Sequence, residues 1–329
     1  MPLLTTTLGG YPRPASLDQA LLDRYDEAGR ETVLDTARQV VVREQTELGI
    51  DIPTDGCLWL GDPVIEHLAR LSGLAWLDPD DEHADEAQSL VIVGPIRPAA
   101  ESFLARRWRL AQAATTRPVK VVLPGPMTLA AAVEDRHYQG DARARGADLA
   151  DALNRELRTL AAAGCRHIQI DEPVAMEESA EASAYGIEHV LRAFHRLSGA
   201  PGRVFGFGRP LPPPVLPGDD GERPADPAAM ILSVIEDAAF DAIAFETVES
   251  QEALARLEEM PRARVQLGLL ALSDEYVEEA DEVEARIRAS LRHIDRDRLS
   301  VAGGNGLGAL PPAMVQGKLR ALALAAHRL

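Results

Sequence analysis

The sequence predicts an α/β fold: a single (β/α)8 TIM barrel with a long N-terminal helical region and a proline-rich loop insertion. Short apolar strands alternate with helical stretches along the chain. One strand, IQIDEP at 168–173, runs directly into two acids, Asp171 and Glu172. In a barrel such strand ends converge on one face, where the chemistry takes place. With 329 residues, 46% of them hydrophobic, we expect residues 1–329 to form one barrel domain.

The composition restricts the partners. A formal net charge of -18 argues against duplex nucleic acid or an anionic membrane, and favours a small-molecule substrate. Cys57 and Cys165 lie far apart without a CxxC spacing, so neither a disulfide framework nor a zinc ribbon is indicated. Residues 1–10 lack signal-peptide features and no apolar stretch reaches 18 residues. We therefore expect a cytoplasmic protein, and the sequence makes no prediction of its oligomeric state.

The first half of the chain opens on a strand at 5–10. A helical region at 16–48 has Ser16 as its expected N-cap and ends at Gly49. The following elements are a strand-to-loop passage at 50–56, a helix from Asp62 to residue 71, an irregular acidic excursion at 74–88, a strand at 89–96, a helix at 98–114 and a strand at 119–126. The last of these strands ends in a rigid Pro-Gly-Pro turn.

The second half continues the alternation. Expected helices lie at 149–163, 185–197, 231–239, 251–259, 279–294 and 312–324, and expected strands at 168–171, 203–208, 242–246, 265–272 and 299–304. The insertion at 209–227 is rich in proline and glycine, which indicates a lid, a binding loop or disorder. Nine strand candidates stand against the eight of a barrel, and we take 89–96 as the extra one. A doubly wound sheet is the alternative.

Four segments together resemble a known family. They are TTTLGGYP at 5–12, VKVVLPGPMT at 119–128, IQIDEP at 168–173 and Phe245-Glu246-Thr247. In this order and spacing they are similar to the catalytic barrel of cobalamin-independent methionine synthase, closest to its short single-barrel forms, over nearly the whole chain. The resemblance implies a methyltransferase that passes a methyl group from 5-methyltetrahydrofolate to a thiol.

The resemblance also implies roles for single residues. Asp171 corresponds to an aspartate that holds the amino acid substrate, and with Glu246 it is the expected catalytic residue. Glu177 corresponds to an acid that contacts the pterin. The remaining expected substrate-binding positions are Leu8, Gly10, Asp55, Cys57 and Asn305.

The family's zinc site is not matched by this sequence. That site uses a His-x-Cys pair on the strand after IQIDEP, a glutamate and a cysteine near the last strand. The corresponding strand reads VFGFG at 204–208, the last position aligns with Asn305, and only Glu246 remains. Zinc needs three or four converging donors. We therefore predict that no zinc is bound, and that Phe205 and Phe207 fill the vacated space.

A missing zinc changes the expected reaction. A free thiol has a pKa of about 8.5 and is only weakly ionised at neutral pH, so homocysteine is poorly activated. Cys57 also replaces the family's glutamate for the substrate amine. The acceptor is therefore expected to differ from homocysteine, and Asp171, Glu177 or Glu246 to protonate the departing pterin nitrogen.

Other interpretations stay open. One is a metal-free lyase or decarboxylase that uses Asp171 and Glu246, with the glycine-rich loop at 303–308 as an anion site. Another is a non-catalytic ligand-binding relative. For Asp171 and Glu172 themselves, the alternative to a catalytic role is that the pair caps the next helix and binds an arginine.

Overall fold

The structure, a computed structural model, describes residues 3–77, 90–176, 180–210, 213, 226–238, 240–248, 250–273 and 275–329. The strands in these ranges are β1 Leu4–Thr7, β2 Ser72–Trp76, β3 Leu90–Arg97, β4 Lys120–Pro124, β5 Glu134–Asp135, β6 His167–Asp171, β7 Gly202–Gly206, β8 Ala242–Thr247, β9 Arg264–Gly268 and β10 Leu299–Gly303. The α-helices are α1 Gln19–Leu22, α2 Glu27–Glu47, α3 Pro63–Leu68, α4 Phe103–Gln112, α5 Pro126–Ala131, α6 Ala142–Ala163, α7 Ala180–Ala193, α8 Pro227–Asp237, α9 Ala280–Ser290 and α10 Pro312–Arg328. Short 3-10 turns lie at Ala15–Leu17, Pro173–Met176, Glu252–Glu259, Arg296–Arg298 and Asn305–Ala309.

Seven parallel strands form the sheet, in the order β1-β10-β9-β8-β7-β6-β4. The gap between β1 and β4 is closed by residues 51–54, which form a parallel bridge to each. The Ile52 N–H donates to the Thr5 carbonyl and the Lys120 N–H donates to the Pro53 carbonyl. Because Pro53 has no N–H, this segment makes bridges rather than a regular ladder. The predicted eight-membered barrel is confirmed.

The extra strand lies outside the ring, as predicted. β3 pairs antiparallel with β2 and parallel with β5 in a separate three-stranded sheet. The prediction of an irregular segment from residue 74 is wrong for its first residues, because these residues belong to β2, which pairs with β3. Residues 78–89 lie outside the described ranges.

The long N-terminal helical region is confirmed, and it is divided into the 3-10 turn Ala15–Leu17, the short α1 and the long α2. The expected N-cap, Ser16, was wrong, because this residue lies inside the 3-10 turn. The α2 helix begins after Asp26, whose carboxylate accepts from the Gly29 N–H at 2.8 Å. A side-chain acceptor at this position satisfies a first-turn donor, so the helix starts afresh there. Most of the proline-rich insertion falls outside the described residues.

The buried apolar residues form two clusters. The larger fills the layer between the strands and the surrounding helices. The smaller, made of Leu8, Val204, Ala242, Ala244 and Ala302, lines the inside of the ring. Because three of its five members are alanines, the ring interior has room for polar side chains from the same strands. Among the described helices, none combines the length and the apolarity that a membrane crossing requires.

Candidate functional site

Asp171 is the last residue of β6 and lies at the carboxyl end of the barrel. Its Oδ1 accepts from the Gln169 Nε2 at 2.7 Å. On the neighbouring strand β7, a Cβ at Gly206 would lie 2.9 Å from the Asp171 Cγ and would overlap Oδ1. Only glycine therefore leaves the space that the Asp171 carboxyl group occupies.

Below Asp171 the ring interior holds a polar group that the sequence analysis did not single out. Lys120, on β4, is fully buried, and its Nζ donates to the Gln169 Oε1 at 2.7 Å and to the Gln266 Oε1 at 2.8 Å. The available signal was a lysine in the otherwise apolar strand VKVVLP. A charge inside such a strand is unusual unless it faces the barrel interior.

Burial controls the ionisation of both groups. It raises the pKa of Asp171 to about 7, against the Gln169 hydrogen bond, which lowers it. Burial lowers the pKa of Lys120 to about 7. A carboxylic acid that titrates near neutral pH can donate a proton to a reacting group at the pH of a cell.

Glu246 stands near the end of β8 and is 8% exposed. Its backbone N–H donates to the Arg209 carbonyl at 3.0 Å. Its charge acts on both interior groups: it raises the pKa of Asp171 and raises that of Lys120. The two expected catalytic acids are thus within electrostatic reach of each other and of one lysine.

Glu172 has a different role from its neighbour. It is fully buried, and its carboxylate accepts from the Met127 N–H and the Thr128 N–H, each at 2.8 Å, and from the Thr128 hydroxyl. A Cβ at Gly125 would overlap this carboxylate. Glu172 therefore caps α5, which precedes it in the chain, whereas Asp171 faces the barrel; the expectation that the pair caps the next helix was wrong in both the helix and the number of acids.

We expect Glu172→Gln to lower the free energy of unfolding by about 1–3 kcal/mol at pH 5, because the amide NH2 would face a helix N–H. Burial raises the pKa of Glu172 to about 7, so at this pH the natural side chain is neutral and the substitution relieves no cost of a buried charge. Denaturant unfolding measures the change. The control Glu188→Gln removes a half-exposed partner of Arg143 and should have almost no effect. Equal stability of the two variants would refute the capping role.

Asp55 forms a buried ion pair with Arg107. It is 3% exposed and accepts from the Arg107 Nε. Burial alone would raise its pKa, but Arg107 and Arg38 hold the pKa below its usual range. The Asp55 Oδ1 also accepts from the Cys57 N–H at 3.1 Å, which shapes the turn that carries Cys57.

Cys57 is partly exposed and has a positive φ of 50°. Burial, with the nearby charge of Asp55, raises the pKa of its thiol to about 12. The charges of Asp171 and Lys120 also act on it, so the thiol is near the barrel mouth. At neutral pH it is a neutral group and a weak nucleophile.

The remaining expected ligand-binding residues are placed as follows. Leu8 is buried, its N–H donates to the Gly303 carbonyl and its carbonyl accepts from Gln169, so it joins the first and last strands of the ring to the Asp171 group. Gly10 follows in the same loop. Asn305 begins a 3-10 turn after β10, and its side chain is not described. Glu177 lies outside the described residues.

The donor set does not suit a zinc ion. Val204 and Gly206 face the ring interior and supply no ligand atom. Phe205 and Phe207 do not fill the space expected for the metal: they pack outside the ring, Phe207 on Phe245 at 4.8 Å between centroids. That expectation was wrong because neighbouring side chains of a strand alternate between its faces. In the part of the chain that the structure describes, no three His, Cys, Asp or Glu residues converge as metal ligands.

Comparison with known proteins identifies related chains. The family described as "Cobalamin-independent synthase, Catalytic domain" matches residues 3–189 and 226–328. The methionine synthases of Pyrococcus abyssi and Saccharolobus solfataricus are 29% identical over 203 residues and 30% identical over 202. Each match covers 59% of this chain, and 58% and 59% of the respective relative, so it spans about three fifths of those proteins.

The fold has a close counterpart among solved structures. A B12-independent methionine synthase from a Shewanella species, in complex with selenomethionine, superposes with a TM-score of 0.80. The superposition covers 99% of this chain and 97% of the other, at 24% sequence identity. At that identity the likeness establishes the barrel architecture.

Proposed function

The chain belongs to the catalytic-domain family of the cobalamin-independent methionine synthases, and from this premise we propose that it transfers a methyl group from 5-methyltetrahydrofolate to a small acceptor other than homocysteine, without zinc. Methyl transfer is the chemistry of the family. The donor, the acceptor and the zinc-independent route are our proposal for this chain.

One observation carries the proposal: a partly buried aspartic acid at the barrel mouth whose pKa is raised to near neutral pH. Burial raises the pKa of Asp171 to about 7. Gln169 holds one carboxylate oxygen, at 2.7 Å, while no described residue donates to the other. The second oxygen is thus left for a substrate.

The proposed step needs an acid because the leaving group is a tertiary amine. A lone pair of the acceptor attacks the methyl carbon, the carbon–nitrogen bond breaks, and its electron pair stays on the pterin nitrogen. Asp171 gives that nitrogen a proton and becomes a carboxylate. The methylated acceptor carries a positive charge and releases a proton to water, and Asp171 takes up a proton from water in turn. General acid catalysis of this kind is worth roughly 100- to 10,000-fold in rate.

The acceptor side supports a substrate other than homocysteine. The donor set around Glu246 does not fit the metal that would hold a thiol as thiolate, and a free thiol is weakly ionised at pH 7. Cys57 stands where the family resemblance calls for a glutamate that binds the substrate amine. An acceptor that is nucleophilic in its neutral form suits this site.

The same proposal includes the partners and the cellular location of the enzyme. The acidic composition supports small-molecule substrates rather than nucleic acid, and the two separate cysteines support a cytoplasmic location. Both of these remain proposals for this chain.

Calorimetric titration with 5-methyltetrahydrofolate tests the donor. We expect saturable binding with a Kd below about 1 mM, the usual upper range of enzyme substrates. Homocysteine serves as the comparison ligand and should give no saturable heat over the same concentrations. Absence of folate binding at millimolar concentration would overturn the proposal, and binding of small carboxylates alone would favour the lyase or decarboxylase.

A further inference from the structure

We propose that Lys120 is a positioning residue that fixes the carboxyl group of Asp171 through the side-chain amide of Gln169. The benefit to catalysis rests on the proposed function of Asp171. The structural link itself does not, and it is testable in the protein without any substrate.

Lys120 has a setting that few lysines have. Its side chain is fully buried in the ring interior, and both acceptors of its Nζ are neutral amide oxygens, of Gln169 and Gln266. A buried ammonium without a carboxylate partner is costly, and an apolar side chain of similar volume would avoid that cost. A purely space-filling role therefore does not account for a lysine here.

The hydrogen bond from Lys120 determines which end of the Gln169 side-chain amide faces the lysine. The ammonium group has only donors, so it accepts no bond from an amide NH2 and binds the amide oxygen instead. The Gln169 Oε1 consequently faces Lys120, and the Nε2 faces the opposite direction. A neutral amine would still have two N–H groups, one for each of the two amide oxygens that accept from Lys120.

The amide nitrogen that is turned away from Lys120 meets two acceptors. The Gln169 Nε2 donates to the Asp171 Oδ1 at 2.7 Å and to the Leu8 carbonyl at 3.0 Å. With the oxygen bound to Lys120, every polar group of this amide is used. A flipped amide would put its oxygen against the Leu8 carbonyl, which has no proton to donate, and its NH2 against the donating Lys120 Nζ.

Asp171 is confined from the other side by the strand β7. The absent side chain of Gly206 provides the space for Oδ1, and Gln169 provides the only described donor to that oxygen. The chain of contacts from Lys120 through Gln169 to Asp171 therefore holds one carboxylate oxygen, and among the described residues none is seen to donate to the other.

The test compares two variants, Lys120→Met and Lys120→Gln, in the full-length protein. Both remove the charge, but only glutamine retains an NH2 that can donate to Gln169 and Gln266. NMR measures two quantities: hydrogen exchange of the Gln169 side-chain amide and the pKa of Asp171 from its carboxyl carbon. The titratable groups that interact electrostatically with Lys120 are Asp171, Cys57, Glu246 and His167.

We expect Lys120→Met to speed exchange of the Gln169 amide by about tenfold or more, while Lys120→Gln keeps the slow exchange of the unaltered protein. Both variants should raise the pKa of Asp171 by about one unit, because a neighbouring cation is lost. If Lys120→Met leaves both quantities unchanged, the proposal is wrong. It is also wrong if the two variants exchange equally fast.

Further variants keep the test decisive. If Lys120→Met does not fold, Gln169→Met removes the bond to Asp171 directly and must also raise the pKa of Asp171; an unchanged pKa would refute the link. The matched control is a second fully buried lysine, Lys318, which pairs with Glu278 at 2.8 Å. The double variant Lys318→Met with Glu278→Gln removes that pair and should change neither quantity.

Discussion

Replacing Asp171 with asparagine is expected to slow methyl transfer roughly 100- to 10,000-fold while the fold is retained. The amide has nearly the same shape but gives no proton to the pterin nitrogen. The rate is measured as loss of the methyl group from 5-methyltetrahydrofolate, with a macromolecule-free cell filtrate as the source of acceptors. The control Asp151→Asn changes a surface partner of Arg192 and should leave the rate unaltered.

The pH dependence of the same rate gives an independent check. A general acid must be protonated, and burial raises the pKa of Asp171 to about 7. The rate should therefore be highest below this value and fall as the pH rises through it. An Asp171→Asn variant that retained both the rate and its decline above pH 7 would show that another group supplies the proton.

Asp171→Asn should also make the protein more stable at alkaline pH. Because the folded-state pKa is raised above the unfolded value of 3.8, the stabilisation from this group is complete below that value and is lost as the pH rises through about 7. At pH 8 the natural protein carries the cost of holding this partly buried carboxylate ionised, on the order of 4 kcal/mol for a pKa raised from 3.8 to about 7, which asparagine avoids. Denaturant unfolding at pH 5 and pH 8 measures the difference.

Replacing Gly206 with alanine is expected to abolish most of the activity through a single methyl group. The added Cβ would overlap the Asp171 Oδ1 and approach the Gln169 Nε2 to 3.2 Å. Asp171 must then move and lose its bond to Gln169, so the acid is no longer held in place. We expect a rate loss of about 100-fold or more, comparable with that of Asp171→Asn.

Gly202 provides the matched control on the same strand. A Cβ there would lie 3.5 Å from the Arg166 carbonyl oxygen, which is an ordinary contact distance. Gly202→Ala should therefore keep the activity. A Gly206→Ala variant as active as Gly202→Ala would mean that the position of Asp171 has no bearing on the reaction.

The barrel could be read from the sequence because its signals are local. Strands such as 168–171 and 242–246 show apolar runs that end in an acid, and glycine or proline marks their ends. Even the strand outside the ring was identified, because nine candidates exceeded the eight that a barrel holds. The segment that closes the ring was expected near residues 50–56, though Pro53 prevents a regular ladder there.

The helix boundaries near the N-terminus were harder to predict, because the helical spacing of apolar residues continues on both sides of the capping residue. Asp26 interrupts the pattern by accepting from a backbone N–H, and nothing in the apolar spacing reveals whether a given aspartate does so. The direction of Phe205 and Phe207 was likewise undetermined until the strand register was known, since a one-residue shift exchanges the two faces.

The candidate site was predicted in part, and the missing part depends on contacts distant in sequence. Asp171 follows from the motif that carries it. The different roles of Asp171 and Glu172 do not follow from the motif, because they depend on where α5 begins. The role of Lys120 depends on amides at positions 49 and 146 residues away. Such pairings arise only when the ring closes.

The zinc content of the purified full-length protein tests the central claim most directly. The protein is incubated with one equivalent of zinc, passed through a desalting column and analysed for metal by mass spectrometry. The claim of an acid-assisted, zinc-independent site predicts far less than one zinc per chain, unchanged by Glu246→Gln. One tightly held zinc per chain that is lost in Glu246→Gln would contradict it.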